Sequence, residues 1–158
     1  MPNTFPIRIL FVCHGNICRS PMAEFVMKDL VAKRGLADQF VIASAATSAE
    51  EIGNDVHRGT KRILDRMGVP YETRAARRLR STDAQTWDYL IGMDDANIRN
   101  MKRMLGAQAE GRIFKLMEFA DSYEDVADPW YTGDFETTYD DVLAGCRGLL
   151  ASIIPSSR

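Results

Sequence analysis

Little in this chain suits metal binding or covalent cross-linking. It has two histidines and three cysteines among 158 residues, and neither His14 nor His57 stands at ligand spacing from a cysteine pair. No metal and no cofactor are therefore expected. Cysteine is odd in number, with Cys13 and Cys18 close together and Cys146 far away, which argues against a disulfide framework and for a reducing, cytoplasmic setting. No apolar run is long enough to span a bilayer, and no secretory-type apolar stretch lies near Met1. The net charge is only -2, so neither nucleic acid nor a membrane surface is an expected partner. Internal repeats and low-complexity tracts are absent as well.

What is present fits one domain over residues 1–158, with 46% hydrophobic residues to form a core and tails at 1–6 and 155–158. Short apolar runs at Ile7 to Val12, Phe40 to Ser44, Tyr89 to Met93 and Ile113 to Leu116 read as strands. Helical patterns run from Pro21 to Arg34, Arg58 to Met67, Ala96 to Leu105 and Phe135 to Ile154, and Gly35, Gly68 and Gly106 follow three of them as caps. This alternation predicts an α/β fold, a three-layer domain whose four-stranded parallel sheet is flanked by helices. The last helix repeats Tyr139, Val142, Leu143, Cys146, Leu149, Leu150 and Ile153 at core spacing, which makes Cys146 a packing residue.

The chemistry sits directly after the first strand, in Cys13-His14-Gly15-Asn16-Ile17-Cys18-Arg19-Ser20. A strand, a tight loop and a helix start can aim the backbone N–H groups of His14, Gly15, Asn16, Ile17 and Cys18 at a tetrahedral anion. Gly15 and Asn16 tolerate the curvature. Helix terminus, amides and Arg19 all favour a Cys13 thiolate, while Arg19 offers a planar fork for two phosphoryl oxygens. Ser20 is adjacent and suited to donate its hydroxyl to the sulfur. Acids are plentiful at 22, and Asp128 is set apart only by Pro129, which stiffens its backbone, and by Trp130 and Tyr131, which suit an aryl ring. The arginines Arg74, Arg77, Arg78 and Arg80 form the one dense basic stretch, read as solvated surface ahead of an acidic-partner site.

The loop resembles that of the low-molecular-weight protein tyrosine phosphatases, commonly Cys-x-Gly-Asn-x-Cys-Arg-Ser-Pro-x-Ala-Glu. Cys13, Gly15, Asn16, Cys18, Arg19, Ser20, Pro21, Ala23 and Glu24 match it, nine positions of twelve. Ser44 to Ser48 is similar to the family's second-strand segment, Trp87 to Asp94 to its third strand and Asp128 to Tyr131 to its acid loop. The resemblance implies metal-independent hydrolysis of aryl phosphate monoesters through a phosphocysteine. The substrate would be a phosphotyrosine protein or a small aryl phosphate, and the product inorganic phosphate.

It further implies that Asp128 protonates the leaving oxygen and then activates water. Two positions depart from the family. Glu50 stands where an aromatic commonly lines the crevice, and Arg74 where some relatives support the loop with histidine, so Asn16, Ser20 and Ser44 are left to hold it. Trp130, Tyr131 and also Tyr123 would raise the cleft walls to favour phosphotyrosine. Cys18 is placed to capture an oxidised Cys13 as a disulfide. The competing readings are an arsenate reductase on the same loop and a phosphoryl-binding or phosphocysteine-carrier module.

Overall fold

The computed structural model describes residues 6–155. The expected tails fall largely outside that range; of their residues it includes only Pro6, half-buried, and Pro155, exposed. Four strands, β1 (Ile7–Cys13), β2 (Phe40–Ala46), β3 (Tyr89–Gly92) and β4 (Ile113–Lys115), form one parallel sheet in the order β2-β1-β3-β4. The helices are α1 (Arg19–Lys33), α2 (Arg58–Met67), α3 (Asp83–Thr86), α4 (Asp95–Leu105), α5 (Pro129–Thr132) and α6 (Phe135–Ile153). No helix among the described residues is long and apolar enough to cross a membrane.

From Ile9 to Cys13, β1 is a continuous apolar run because it is covered on both faces, while Arg8 before it is exposed. Ile9, Phe11 and Cys13 join a core built with α1, α2 and α6, whereas Leu10 and Val12 join a second core with Ala84, Trp87, Met101 and Leu105. Period-two alternation thus commits the last residue of β1, Cys13, to the α1 side, paired in register with Ala46. The strand order reverses direction across β1, so its carboxyl end lies at the switch point where α/β sheets bind ligands.

Boundaries shift where side chains, not hydrophobic periodicity, set them. α1 begins at Arg19 instead of Pro21, since a proline in the first turn removes only an N–H that has no helical partner anyway. β3 stops at Gly92 because the Met93 and Asp94 amides donate to Asn97 Oδ1, opening α4. β4 stops at Lys115, where a 3-10 turn over Leu116–Ala120 starts. The short helices α3 and α5 lack enough turns to give a periodic signal. The stretch from Phe119 to Asp134 holds the end of that 3-10 turn and α5 and is otherwise irregular.

α6 comes close to that 3-10 turn at Gly145, against the Leu116 side chain, and at Gly148, against the Phe119 backbone. A Cβ at Gly148 would overlap the Phe119 carbonyl oxygen, a backbone atom that cannot swing away. Gly148→Ala is therefore expected to destabilise the fold by about 2–3 kcal/mol in urea titration. Gly111→Ala, with φ +85 and no atom within 4 Å of the new Cβ, is expected to cost only about 1–2 kcal/mol of backbone strain.

Candidate active site

The loop from Cys13 to Arg19 turns back on itself through Asn16, a non-glycine residue at φ 60. Its amide N–H thereby donates to Cys13 Sγ at 3.3 Å. A side chain that can tolerate this conformation also has to hold it, and Asn16, 1% exposed, does so on every polar atom. Nδ2 donates to Ser20 Oγ at 2.8 Å and to Ser44 Oγ at 2.9 Å, and Oδ1 accepts from the Arg77 amide at 3.3 Å. The Asn16 carbonyl accepts from Arg74 Nη2 at 2.6 Å.

Donor and acceptor directions follow from this network. Glu24 only accepts, so Ser44 gives it the hydrogen at 2.6 Å and receives from Asn16. Ser20 likewise receives from Asn16, which leaves its own hydrogen for Cys13 Sγ, 3.1 Å away. The Asn16 and Ser20 side chains thus lie buried behind the loop and line no part of the cleft, so they hold the loop and the sulfur and do not face a bound side chain. Arg74, left without a role by the sequence, buttresses the loop, and burial draws its pKa below the ordinary value against the pull of Glu24, Cys13 and Asp55.

Arg19 is 3% exposed at the start of α1. Its Nη1 lies 2.9 Å from Asp94 Oδ2 and donates to the Val126 carbonyl at 3.2 Å, and its Nη2 lies 3.3 Å from Asp128 Oδ2. Burial works against the charge, but Cys13, Asp128 and Asp94 outweigh it and raise the Arg19 pKa. Each carboxylate spends its other oxygen on a helix start. Asp94 Oδ1 accepts from the Asn97 amide at 2.7 Å at the head of α4, and Asp128 Oδ1 from the Trp130 amide at 3.1 Å at the head of α5. The residues before Asp128 are pinned by α6, where Asp141 accepts from the Ala127 amide and Thr138 donates to the Ala127 carbonyl.

Asp94 is the site residue that sequence reasoning missed. Its sequence carried only the mark of a helix cap, an Asp before a helical run with Asn97 three positions on to complete a capping box, which says nothing of Arg19.

Cys13, His14, Gly15, Ile17, Cys18, Arg19, Glu50, Asp128, Trp130 and Tyr131 all line one cleft of about 540 Å³, joined by Glu51, Asp94 and Asn97. His14 Nε2 lies 3.0 Å from Glu50 Oε2 at its rim. Tyr123 stands 97% exposed and outside the lining, so it builds no cleft wall. Burial, with the charges of Cys13 and Asp128, pushes the Cys18 thiol up to about 12. The basic stretch divides: Arg74 serves the loop, Arg77 forks onto Asp83 at 3.0 and 3.1 Å, and Arg78 and Arg80 are exposed.

The family model for low molecular weight phosphotyrosine protein phosphatase matches residues 8–156. The chain is 42% identical over 149 residues to the low molecular weight protein-tyrosine-phosphatase YfkJ of Bacillus subtilis, covering 93% of this chain and 96% of that one. It is 38% identical to PtpA of Staphylococcus aureus, with 94% of each chain covered. The crystal structure of YfkJ superposes with a TM-score of 0.91 over 97% of this chain and 98% of that one, at 42% identity. That of the Streptococcus pyogenes phosphatase SP-PTP gives 0.84 over 96% and 95%, at 44% identity. A thiol-floored loop, a buried arginine and a sheet of this order belong to a chain that is a member of the low-molecular-weight protein tyrosine phosphatases, phosphoric monoester hydrolases that work through a phosphocysteine.

Proposed function

We propose that the cleft hydrolyses phosphotyrosine in proteins, or small aryl phosphates, with Cys13 as nucleophile, Arg19 as transition-state clamp and Asp128 as proton donor and then acceptor. The observation that carries this assignment is the convergence of all three on one cleft, with Arg19 touching Asp128 at 3.3 Å and Cys13 Sγ receiving the Asn16 amide.

The Cys13 thiolate attacks phosphorus in line as the phosphorus–oxygen bond to the aryl group breaks. The Asp128 carboxyl proton passes to the departing oxygen, which gives the phenol and a Cys13–phosphate bond. Asp128, now a carboxylate, takes a proton from water as that water attacks phosphorus. The sulfur–phosphorus bond breaks and inorganic phosphate leaves. The Ser20 hydrogen steadies the departing sulfur, and Arg19 with the loop amides binds the equatorial oxygens as their charge spreads. Trp130, 62% exposed, and Tyr131, 84% exposed, stand free at the mouth to flank an aryl ring.

A phosphocysteine carrier has no use for a loop acid, so Asp128 weighs for hydrolysis. Arsenate reduction needs further thiols to carry a disulfide outward. Beyond Cys13 and Cys18 there is only Cys146, wholly buried in the core. The three free thiols suit a reducing cytoplasm.

Cys18 serves as a guard for Cys13. At neutral pH its raised pKa keeps it a thiol, and peroxide oxidises the Cys13 thiolate first, giving a sulfenic acid and hydroxide. Loss of the Cys13 charge removes one cause of the high Cys18 pKa. Cys18 then condenses with the sulfenic acid, releasing water and forming the disulfide.

Three measurements test this account. With para-nitrophenyl phosphate in EDTA, Cys13→Ser is expected to abolish turnover and Arg19→Ala to lower kcat by about 10³-fold. Asp128→Ala is expected to cost about 10²-fold or more on a phosphotyrosine peptide but far less on the nitrophenyl ester, whose leaving group needs little protonation. Equal losses on both esters would place the proton donor elsewhere. Ser44→Ala removes the acceptor that aligns Asn16, and a fall in kcat of about tenfold at nearly unchanged KM is expected. After peroxide treatment, mass spectrometry is expected to find a Cys13–Cys18 disulfide; sulfinic Cys13 beside a free Cys18 would end the guard role.

A further inference from the structure

Beyond the His14–Glu50 pair the surface continues into a second groove, of about 550 Å³. It shares His14, Glu50 and Asn100 with the catalytic cleft, so the two adjoin at those residues. Their charges differ in kind. The cleft carries Glu50, Glu51, Asp94 and Asp128, whereas Glu50 is the groove's one acidic residue, faced by Arg78 and Arg103. Both arginines are exposed, and among the described residues neither has a carboxylate within ion-pair distance.

Glu50 itself lies where groove and cleft meet, against His14 Nε2 at 3.0 Å. Thr47 also lines the groove at 5% exposure, and its Oγ1 is the one buried side-chain polar atom without a hydrogen-bond partner among the described residues. A buried hydroxyl lacking a partner costs free energy that an incoming polar group can recover.

We propose that this groove is a subsite for an anionic side chain of the substrate peptide, which the Arg78 and Arg103 guanidinia bind while the phosphotyrosine occupies the cleft. The inference rests on the phosphatase reading and extends it to substrate selection. An extended peptide advances about 3.3 Å per residue, so each position counted from the phosphotyrosine reaches a different point along the groove, and only those that reach the two arginines gain from a negative charge. Glu50 sets the contrast where cleft and groove meet, and there it disfavours an acidic residue immediately beside the phosphotyrosine. Selection is then by position: neutral or basic beside the phosphotyrosine, acidic farther along on the groove side.

The test is a scan of phosphotyrosine peptides, otherwise neutral, with one Glu placed at each of the four positions on either side. On the wild type, Glu at one or two positions on a single side is expected to raise kcat/KM about fivefold over Ala, through KM and not kcat, the size that two exposed charge contacts supply. The gain is expected to vanish near 1 M salt, where such contacts are screened. In Arg78→Ala/Arg103→Ala it should also vanish, while para-nitrophenyl phosphate turnover and thermal stability stay at wild-type values. Replacing the favoured Glu by phosphoserine separates a general anion site, which keeps or enlarges the gain, from one fitted to a carboxylate, which loses it. Turnover of the neutral peptide with no Glu effect at any position overturns the subsite alone, as does a gain that survives in the double variant. Failure to turn over either the neutral peptide or the nitrophenyl ester overturns the phosphatase reading and the subsite with it.

Discussion

Everything at the cleft depends on one residue held in a backbone conformation that L-amino acids avoid. Asn16 at φ 60 turns its own amide onto the sulfur of Cys13, and without that turn the loop has no floor. The left-handed conformation alone costs about 1–2 kcal/mol. The surroundings offset that cost by anchoring both ends of the side chain and the carbonyl to groups from β2, α1 and the segment before α3. Because each of those partners is committed in turn, the Glu24 carboxylate sets the direction of hydrogen bonds as far as the reactive thiol.

Arg19 extends the same logic to charge. A guanidinium buried to 3% exposure is tolerable only with counter-charges beside it, and removing one partner of such a pair typically costs about 3–5 kcal/mol. The two aspartates that supply the charge are also the N-caps of α4 and α5. Capping fixes each carboxylate through one oxygen and leaves the other aimed at Arg19. The Asp128 carboxylate, the proposed proton donor, is thereby held with the precision of a helix start, while its neighbours Trp130 and Tyr131 remain exposed at the surface.

The legible part of this site was local. Cys13, Gly15, Asn16, Arg19 and Ser20 lie within eight residues, so strand, turn and helix geometry alone brings them to one point. The continuous apolar β1 and the stripe of α6 were equally readable, because burial on two faces or one leaves a periodic trace. Asp94 and Arg74 were not. They reach the loop from 58 to 75 positions away, and an isolated Asp or Arg in a sequence is indistinguishable from a solvated charge until its partner is placed. The misplacement of Tyr123 has the mirror cause: an aromatic near the acid loop in sequence turned out to face solvent.

The sequence by itself determined the strand–loop–helix that carries Cys13 and Arg19, the alternation that makes a parallel sheet, and the membership that follows from nine matched positions. Tertiary structure alone decided which of 22 acids face Arg19, which of four neighbouring arginines supports the loop, and which charges are left unpaired around the groove. The division has a physical origin. Backbone propensity and hydrophobic period act over a few residues, whereas a buried charge is compensated by whatever carboxylate the packing of distant helices brings within about 3 Å.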